Sequence, residues 1–546
     1  MAETPKSPPT ISAPTVAPGI AAGTQPAHPD LVTLKIDGRT VQVPKGTNVL
    51  EAARTLGQSI SYFCYHPGLS SPAVCRQCLV EVKGQPKLMP SCYTTVAENM
   101  DVLTDSEKVV TARAQMLEFT LVNHPVDCPI CDKAGECTLQ KMYQEWDGSP
   151  SRVDTGKVHK PKVVDLGPQI VLDAERCILC TRCIRVCDEV AKEHQLEMAF
   201  RGDREQLTVA PGHRLDNPYS INTVDVCPVG ALTLKDFRFA MRAWELYTTP
   251  SVCAGCATGC NDEVHHAKGK IYRLVPRENQ DVNRFWICDE GRFTYKEINM
   301  HRVAAPRIGG ETTSMDKALA FAAERLAGVP KELIGVVLNA QATNEDNYLL
   351  AKVAGALGIS HVYLAGRPPR PERADDILRS ADVNPNTTGA RILGGAGAKG
   401  TQQLNADIVS GALKALWILG DHVALDDEAL AALGKLEVVY QSPHDNFLSD
   451  KVSVLLPAAA WAEVHGTFTN GKGLVQRVRA AVEPPGEARP HHELIALVAK
   501  RLGVDIAPKA AKALFAEMKS AVPEFANASF GREALPIQLR FAASRG

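Results

Sequence analysis

The chain has 546 residues and a mass of 58.9 kDa, enough for three or four domains of ordinary size. Its 60 Lys and Arg stand against 62 Asp and Glu, a net charge of -2, which leaves no electrostatic footprint for nucleic acid or an anionic membrane surface. Apolar residues make up 45%, yet the longest apolar runs, 415–420 and 452–460, fall short of the roughly 18–20 residues of a spanning helix, so a soluble chain is expected.

Residues 1–30 hold seven prolines, one Lys and no Arg. Neither a secretory h-region nor an Arg-rich transit segment fits that composition, and a disordered extension is predicted. Without a secretory signal the thiols stay reduced, which favours metal binding over disulfides and points to the cytoplasm. Residues 31–43 alternate Val32, Leu34, Ile36, Val41 and Val43 around Asp37-Gly38, the pattern of a hairpin with a type I′ turn. Asn48 followed by Glu51, with Val49, Ala53 and Leu56 at helical spacing, predicts a capped helix. Hairpin, helix and then a cysteine loop form a β-grasp-like opening.

All 16 cysteines lie between Cys64 and Cys288. The first set, Cys64, Cys75, Cys78 and Cys92, is spaced C-x10-C-x2-C-x13-C, and four thiolates of this kind can hold a [2Fe–2S] cluster or, alternatively, zinc. The spacing departs from that of plant-type ferredoxins. The second set is His124, Cys128, Cys131 and Cys137; three thiolates are an incomplete cage for a cubane, which a neutral imidazole can complete. His124 can equally be an ordinary surface residue, with water or hydroxide on the fourth iron.

Residues 148–168 are rich in Gly, Pro, Ser and Lys and read as a linker. A compact cysteine unit follows over 171–234. Its run Cys177-x2-Cys180-x2-Cys183-x3-Cys187, with Cys227-Pro228 downstream, is the ferredoxin pattern. Counting back from Cys227, the positions that would ligate a second cubane hold Thr223, Ser220 and Asn217. One [4Fe–4S] cluster on Cys177, Cys180, Cys183 and Cys227 is therefore expected, with Cys187 a buried structural thiol. The fourth set, Cys253, Cys256, Cys260 and Cys288, again suits [4Fe–4S]. Zinc ribbons would favour paired C-x2-C knuckles instead. Clusters of this kind pass single electrons, so their succession along the chain suggests a relay.

Beyond residue 330, short apolar strands at 333–338, 361–364, 415–419, 436–440 and 452–456, some separated by helices such as 347–357, predict a parallel α/β sheet. Pro368, Pro369 and Pro371 mark a surface loop, and Pro484-Pro485-Gly486 a break before the last helices. Gly395-Ala396-Gly397-Ala398-Lys399-Gly400 follows the short apolar segment 391–393, with Asp421 after a later strand, and formally matches a dinucleotide fingerprint. Its place deep in the domain and the weak helix start at Thr401-Gln402-Gln403 argue against NAD binding there. No nucleophile constellation stands out, and no catalytic residue is assigned.

Taken together, Tyr62-Phe63-Cys64-Tyr65-His66, Cys75-Arg76-Gln77-Cys78-Leu79-Val80-Glu81-Val82, Asn123-His124-Pro125-Val126-Asp127-Cys128-Pro129-Ile130-Cys131 and Cys177-Ile178-Leu179-Cys180-Thr181-Arg182-Cys183 resemble one family, the large iron–sulfur subunits (G subunits) in the peripheral arm of NADH:quinone oxidoreductase, respiratory complex I. The resemblance covers roughly residues 31–480. It implies one [2Fe–2S] cluster on the first set, a His124-ligated [4Fe–4S] cluster on the second, and a [4Fe–4S] cluster on the third. The fourth set occurs in some members only and looks like an off-path cluster retained from molybdenum enzymes. Thr343-Asn344-Glu345, Gly466-Thr467-Phe468-Thr469-Asn470 and Val475-Gln476 resemble the molybdopterin oxidoreductase fold. No Cys follows Cys288 to ligate molybdenum, and too little chain remains for a further pterin-binding domain, so no molybdopterin is expected.

The fold expected is thus multidomain, α+β then α/β. It comprises a disordered extension (1–30), a β-grasp [2Fe–2S] ferredoxin-like domain (31–109), a His/Cys cubane segment (110–148), and a linker with a [4Fe–4S] ferredoxin-like domain (149–245). A Mo/W-enzyme-type [4Fe–4S] domain (246–302) and a truncated molybdopterin-oxidoreductase-like α/β domain without Mo (303–546) complete it. The resemblance implies an electron-transfer subunit of a proton-translocating NADH:quinone oxidoreductase, a translocase, which binds no substrate itself. Its implied partners are an NADH/FMN-binding flavoprotein subunit and downstream ferredoxin-like and quinone-module subunits. It would touch the membrane only through that complex, on the cytoplasmic side of the bacterial inner membrane. The enzyme rival is a Mo/W-dependent formate dehydrogenase subunit. An [FeFe]-hydrogenase would need further cysteines that the chain lacks, and a zinc-built scaffold is the non-enzymatic alternative.

Overall fold

The computed structural model describes residues 30–146, 150–531 and 537–538. The predicted extension therefore lies, but for Asp30, outside the described residues, as do positions 148 and 149 of the predicted linker. The chain divides into two units, one of residues 1–124, 141–157 and 178–185, the other of residues 125–140, 158–177 and 186–546.

The first unit opens as its alternation predicts. Strands Leu31–Ile36 and Arg39–Pro44 pair antiparallel from Leu31↔Pro44 to Ile36↔Arg39. Asp37 and Gly38 both take positive φ, 47° and 75°, as a type I′ turn requires. The Asn48 side chain accepts from the Glu51 N–H at 2.9 Å and starts helix Val49–Thr55, which buries Val49, Leu50, Ala52 and Ala53. Strands Leu79–Val82, Met89–Pro90 and Asp101–Leu103 complete a mixed five-stranded sheet, with Leu31–Ile36 parallel to Asp101–Leu103. Cys78 and Cys92 are part of its core, beside Ile60, Val80 and Val102. Helix Glu107–Leu121 locks onto the sheet through a buried Arg113, whose Nη2 donates to the Leu79 carbonyl at 3.0 Å. Burial pushes that guanidinium down to about 10.

In the second unit a small antiparallel sheet joins Val164–Asp165, Ile170–Leu172 and Leu232–Leu234. Part of the predicted linker is thus a strand; Val163-Val164 beyond Pro161 extend readily, and Ile170–Leu172 supplies the partner edge. Strands Tyr247–Val252, Asn261–Ala267 and Lys270–Pro276 form an antiparallel meander, to which Ile537–Gln538 adds.

The predicted parallel sheet is present as Ile334–Asn339, His361–Ala365, Ala415–Leu419, Glu437–Ser442 and Val454–Pro457, all parallel, with the short strands Arg307–Ile308 and Glu311–Thr312 antiparallel at one edge. Successive residues serve opposite faces. Val336, Leu338, Trp417 and Leu419 pack against helices Met315–Ala327, Asn344–Leu357 and His491–Arg501. Val337, Leu416 and Ile418 pack against Thr401–Val409 and Asp427–Leu433. The sheet is therefore covered on both faces, which is why its strands read as continuous apolar runs. Segment 391–393 is not a strand: it closes helix Thr387–Gly394, whose apolar residues recur at helical spacing.

Candidate iron–sulfur centres

None of the sixteen cysteines, all of them described, forms a disulfide. Among the described residues no three His, Cys, Asp or Glu side chains converge as they would on one metal ion. A multi-iron cluster, by contrast, spreads its ligands over several metal atoms.

The first set lies wholly in the first unit. Cys64, Cys78 and Cys92 are buried and Cys75 is half-buried. Cys64 stands within hydrogen-bond reach of Cys75 and Cys92, and Cys78 of Cys92. The Phe63 and Cys64 N–H groups both donate to Cys75 Sγ at 3.5 Å. Ala73 and Arg76 hold positive φ, 53° each, an uncommon backbone state for residues with a β-carbon. Protons are shared unevenly among the crowded thiols. Hydrogen bonds from Cys75 and Cys92 push Cys64 down, whereas bonds to Cys64 and Cys78 push Cys92 up. Four thiolates at this spacing repel one another unless cationic iron lies between them, so the donor set fits a [2Fe–2S] group. Nearby, burial, with the charges of Arg182, Arg185 and Arg54, pushes His66 down to about 3.

The second set is divided. His124, half-buried, follows helix Glu107–Leu121 at the end of the first unit, while Cys128, Cys131 and Cys137 belong to the second. Cys128 starts the turn Cys128–Ile130. Burial raises the Cys131 thiol and pushes Cys137 up to about 11. Gly230 packs so tightly on this loop that a β-carbon there would overlap Cys131 Sγ and stand 3.2 Å from Lys133 Cβ. The Thr138 N–H donates to the Pro228 carbonyl at 2.9 Å, so the loop after Cys227 is fastened to the one carrying Cys131 and Cys137.

The third set is divided as well. Cys180 and Cys183 lie in the first unit, and Cys177 and Cys227 in the second. Leu179 and Thr181 hold φ of 56° and 60°. Such states are outliers for a bulky and a β-branched residue. Cys187 is fully buried in the π-helical turn Val186–Ala191. Its sulfur lies 4.0 Å from Asn217 Nδ2, and that amide also donates to Gln195 Oε1 at 2.7 Å. Ser220 Oγ donates to Asp289 Oδ2 at 2.6 Å and Thr223 Oγ1 to the Ser220 carbonyl at 2.7 Å. The three positions where ligands of a second cubane would stand are thus spent on hydrogen bonds, and burial pushes the Cys187 thiol up to about 12.

The fourth set lies wholly in the second unit, with all four cysteines buried. Cys253 follows strand Tyr247–Val252, and its N–H donates to the Cys260 carbonyl at 2.8 Å. Cys288 caps helix Asp289–Arg292 and accepts from the Gly291 N–H at 3.3 Å. The Gly255 N–H donates to Cys253 Sγ at 3.4 Å. A β-carbon on Gly291 would stand 3.0 Å from Cys253 Sγ and 3.4 Å from Cys288 Sγ, so these two thiols share one glycine-lined recess. Burial raises Cys253 and Cys260 well above their usual range, Cys288 to about 11, and the fully buried Asp262 carboxyl to about 7. Buried, like-charged thiols with backbone donors aimed at sulfur fit a [4Fe–4S] group.

A pterin cofactor does not fit. The crevice beyond the carboxyl ends of the parallel strands, where strand order reverses between Ile334–Asn339 and Ala415–Leu419, is where an α/β sheet binds ligands. Here Gln341, Arg367, Asp421, His422, His444 and His491 line a cleft of about 50 Å³, room for a water or two rather than a dinucleotide. Asp421 is engaged by His444 at 2.6 Å and Arg367 by Glu297 at 2.7 Å. The run Gly395–Gly400 follows a helix rather than a strand, so the dinucleotide fingerprint lacks its context.

Gly230, Arg182 and Arg185 escape a reading of ligand spacing, because none is a ligand. Position is the signal that could have found them: a glycine three residues past Cys227, and two arginines interleaved with a cysteine run.

Five family models match the chain in succession. They are a 2Fe-2S iron-sulfur cluster binding domain (residues 30–107), the NADH-ubiquinone oxidoreductase-G iron-sulfur binding region (113–150), and the ferredoxin-like domain of NADH-quinone oxidoreductase subunit 3 (167–233). A molybdopterin oxidoreductase Fe4S4 domain (246–300) and molybdopterin oxidoreductase (339–501) follow. The NADH-quinone oxidoreductase G subunit of Streptomyces coelicolor is 39% identical over 375 residues, 67% of this chain and 44% of the relative. Its counterpart in Rickettsia felis is 28% identical over 597 residues, 87% of this chain and 88% of the relative. The NADH-ubiquinone oxidoreductase 75 kDa subunit of Reclinomonas americana is 38% identical over 371 residues, 65% of this chain and 53% of the relative. Among solved structures, a chain of the NAD+-reducing [NiFe]-hydrogenase in the H2-reduced state is 29% identical, covering 39% of this chain and 91% of that chain, with a TM-score of 0.36. The chain spans less than half the length of the Streptomyces coelicolor and Mycobacterium bovis relatives it matches. Five domain types in the family's order and the similarity to the Rickettsia felis protein over most of both chains place this chain in the family of NADH-quinone oxidoreductase G subunits.

Proposed function

We propose that the chain is an iron–sulfur electron-transfer subunit of the proton-translocating NADH:quinone oxidoreductase, relaying electrons from the NADH/FMN module toward quinone. What supports this is the spacing of fifteen cysteines and His124 in four groups suited to ligation, with backbone N–H donors aimed at sulfur in the two groups that each lie within one unit. Cys64, Cys75, Cys78 and Cys92 would hold a [2Fe–2S] cluster. Three [4Fe–4S] clusters would be held by His124, Cys128, Cys131 and Cys137, by Cys177, Cys180, Cys183 and Cys227, and by Cys253, Cys256, Cys260 and Cys288. When bound, these groups take up and release single electrons with little change of geometry.

The chain's own residues position and insulate. Core packing around Cys78, Cys92 and the fourth set excludes water and lowers the local dielectric. The Phe63, Cys64, Gly255 and Gly291 N–H groups orient sulfur. Replacing one thiolate by the His124 imidazole removes a negative charge from its set, which favours reduction there. The domain limits read from the sequence, 31–109, 110–148, 149–245, 246–302 and 303–546, are proposed as the modules that carry these sets. The partners are an NADH/FMN flavoprotein and downstream ferredoxin-like and quinone-module subunits, docked through neutral, mixed surfaces. Among the described residues no helix is long and apolar enough to cross a membrane; the proposed place is peripheral, on the cytoplasmic side of the bacterial inner membrane.

Anaerobic iron and sulfide analysis of the purified chain tests this, with about 14 iron per chain expected from one two-iron and three four-iron clusters and reduced-state EPR signals for each type. A colourless, zinc-loaded sample, or stoichiometric Mo or W with formate turnover, would refute it.

A further inference from the structure

Arg185 ends the short helix Arg182–Arg185, inside the third cysteine run, and is 8% exposed. Its Nη2 donates to the Cys64 carbonyl at 2.6 Å and to the Cys180 carbonyl at 3.3 Å. Nη1 donates to the Ser70 carbonyl and Nε to Thr181 Oγ1 at 3.4 Å. One nitrogen atom thus ties the backbone of a first-set cysteine to that of a third-set cysteine, 121 residues apart from Arg185 in one case and five in the other. Arg182 reinforces the tie, donating to the Tyr65 carbonyl with its guanidinium 5.7 Å from the centre of the Tyr62 ring. All of these residues belong to the first unit.

Holding two carbonyls needs only N–H donors. A guanidinium adds a planar fork that reaches both at once and a charge that no protein environment removes. Burying such a charge is costly, and carbonyl dipoles on the Cys64 and Cys180 loops help to offset it. A cluster held by thiolates gains negative charge on reduction, so a fixed cation beside the ligand backbone stabilises the reduced form.

We propose that Arg185 is a positioning residue shared by two cluster sites, fastening the Cys64 loop to the Cys180 loop and lending its charge to both. The proposal rests on the reading of these cysteines as cluster ligands. It is tested in the full chain, loaded anaerobically, by EPR-monitored redox titration of Arg185→Gln and Arg185→Lys beside wild type. Arg185→Gln, which removes the charge, is expected to lower the oxidised-to-reduced midpoint of both the [2Fe–2S] signal and the third-set [4Fe–4S] signal. A tenfold change in ratio, or about 59 mV for one electron, is expected at each. Arg185→Lys keeps the charge beside both loops, so both midpoints are expected to stay near those of wild type.

A shift confined to one signal in Arg185→Gln, or midpoints in Arg185→Lys that fall by about tenfold in ratio at both signals, overturns the proposal. Should Arg185→Gln lose iron, the lysine variant alone decides. Absence of the two signals from wild type would instead sink the functional reading, so the two failures are distinguishable.

Discussion

Gly230 meets Cys131 face to face, with so little room beside the thiol that a β-carbon there would overlap the sulfur. Gly230→Ala must therefore displace Cys131 or strain the Cys227 loop. The variant is expected to lose the second-set cluster, a drop of about four iron per chain, while far-UV circular dichroism stays that of wild type. Full iron content in Gly230→Ala would show that the close approach is incidental.

Cys187 calls for the opposite outcome. With Asn217, Ser220 and Thr223 committed to hydrogen bonds, Cys187→Ala is expected to keep all the iron of wild type and to lose only packing, about 1 kcal/mol in a denaturant titration. Cys183→Ala, on the same run, should lose about four iron. Iron analysis of the pair separates ligand from bystander.

His124 is the proposed fourth ligand beside the Cys128, Cys131 and Cys137 thiolates. His124→Cys restores a fourth negative charge to that set and is expected to lower its midpoint potential with iron content unchanged. Redox titration followed by EPR checks the sign; a rise would place the imidazole elsewhere than on iron.

Asp346 and His492 form a buried pair at 2.8 Å between the first turns of helices Asn344–Leu357 and His491–Arg501. Burial opposes the charge of each, yet the pairing wins: the Asp346 carboxyl is held down to about 2, chiefly by hydrogen bonding and charge from His492, and His492 is raised by the same contact. The lowered Asp346 contributes stability above its ordinary value near 4 that fades as pH falls toward 2. The raised His492 contributes stability below about 6.5 that fades as pH rises through its folded value. Asp346→Asn is therefore expected to cost about 3 kcal/mol, with the gap to wild type widest from roughly pH 4 to 6.5. Burial lowers the neighbouring His491 while the Asp346 charge raises it, so part of the gap comes from that histidine as well. Denaturant unfolding across pH measures the gap, and a gap that widens above pH 8 contradicts the assignment.

What the sequence made legible was local. The Asp37-Gly38 turn, the Asn48 cap and the apolar strands of the parallel sheet each depend on residues a few positions apart, and each stands where its pattern placed it. Cysteine spacing proposes which thiols belong together, and in the fourth set Cys253 and Cys288 share a glycine-lined recess. At 391–393 the two apolar residues Ile392 and Leu393 satisfy either period, and only the preceding Thr387–Ala390 turn decides for a helix. The strand Val164–Asp165 needed a partner edge before it could be recognised. Arg185 reaches the Cys64 carbonyl across 121 residues and His492 reaches Asp346 across 146, while Gly230 presses on a cysteine of a different set. No window on the sequence spans such contacts.

Cys187 sits four residues from Cys183, on the same run and chemically identical to its neighbours, so an assembly machinery delivering ferrous iron meets five sulfurs where four are wanted. Burial, with the charges of Asp188 and Glu193 nearby, keeps that fifth thiol protonated against the pull of the Asn217 amide, and a protonated thiol is a poor competitor for metal. Faithful loading is thus built into the apoprotein before any iron arrives, through a side chain whose contribution is to decline the cargo.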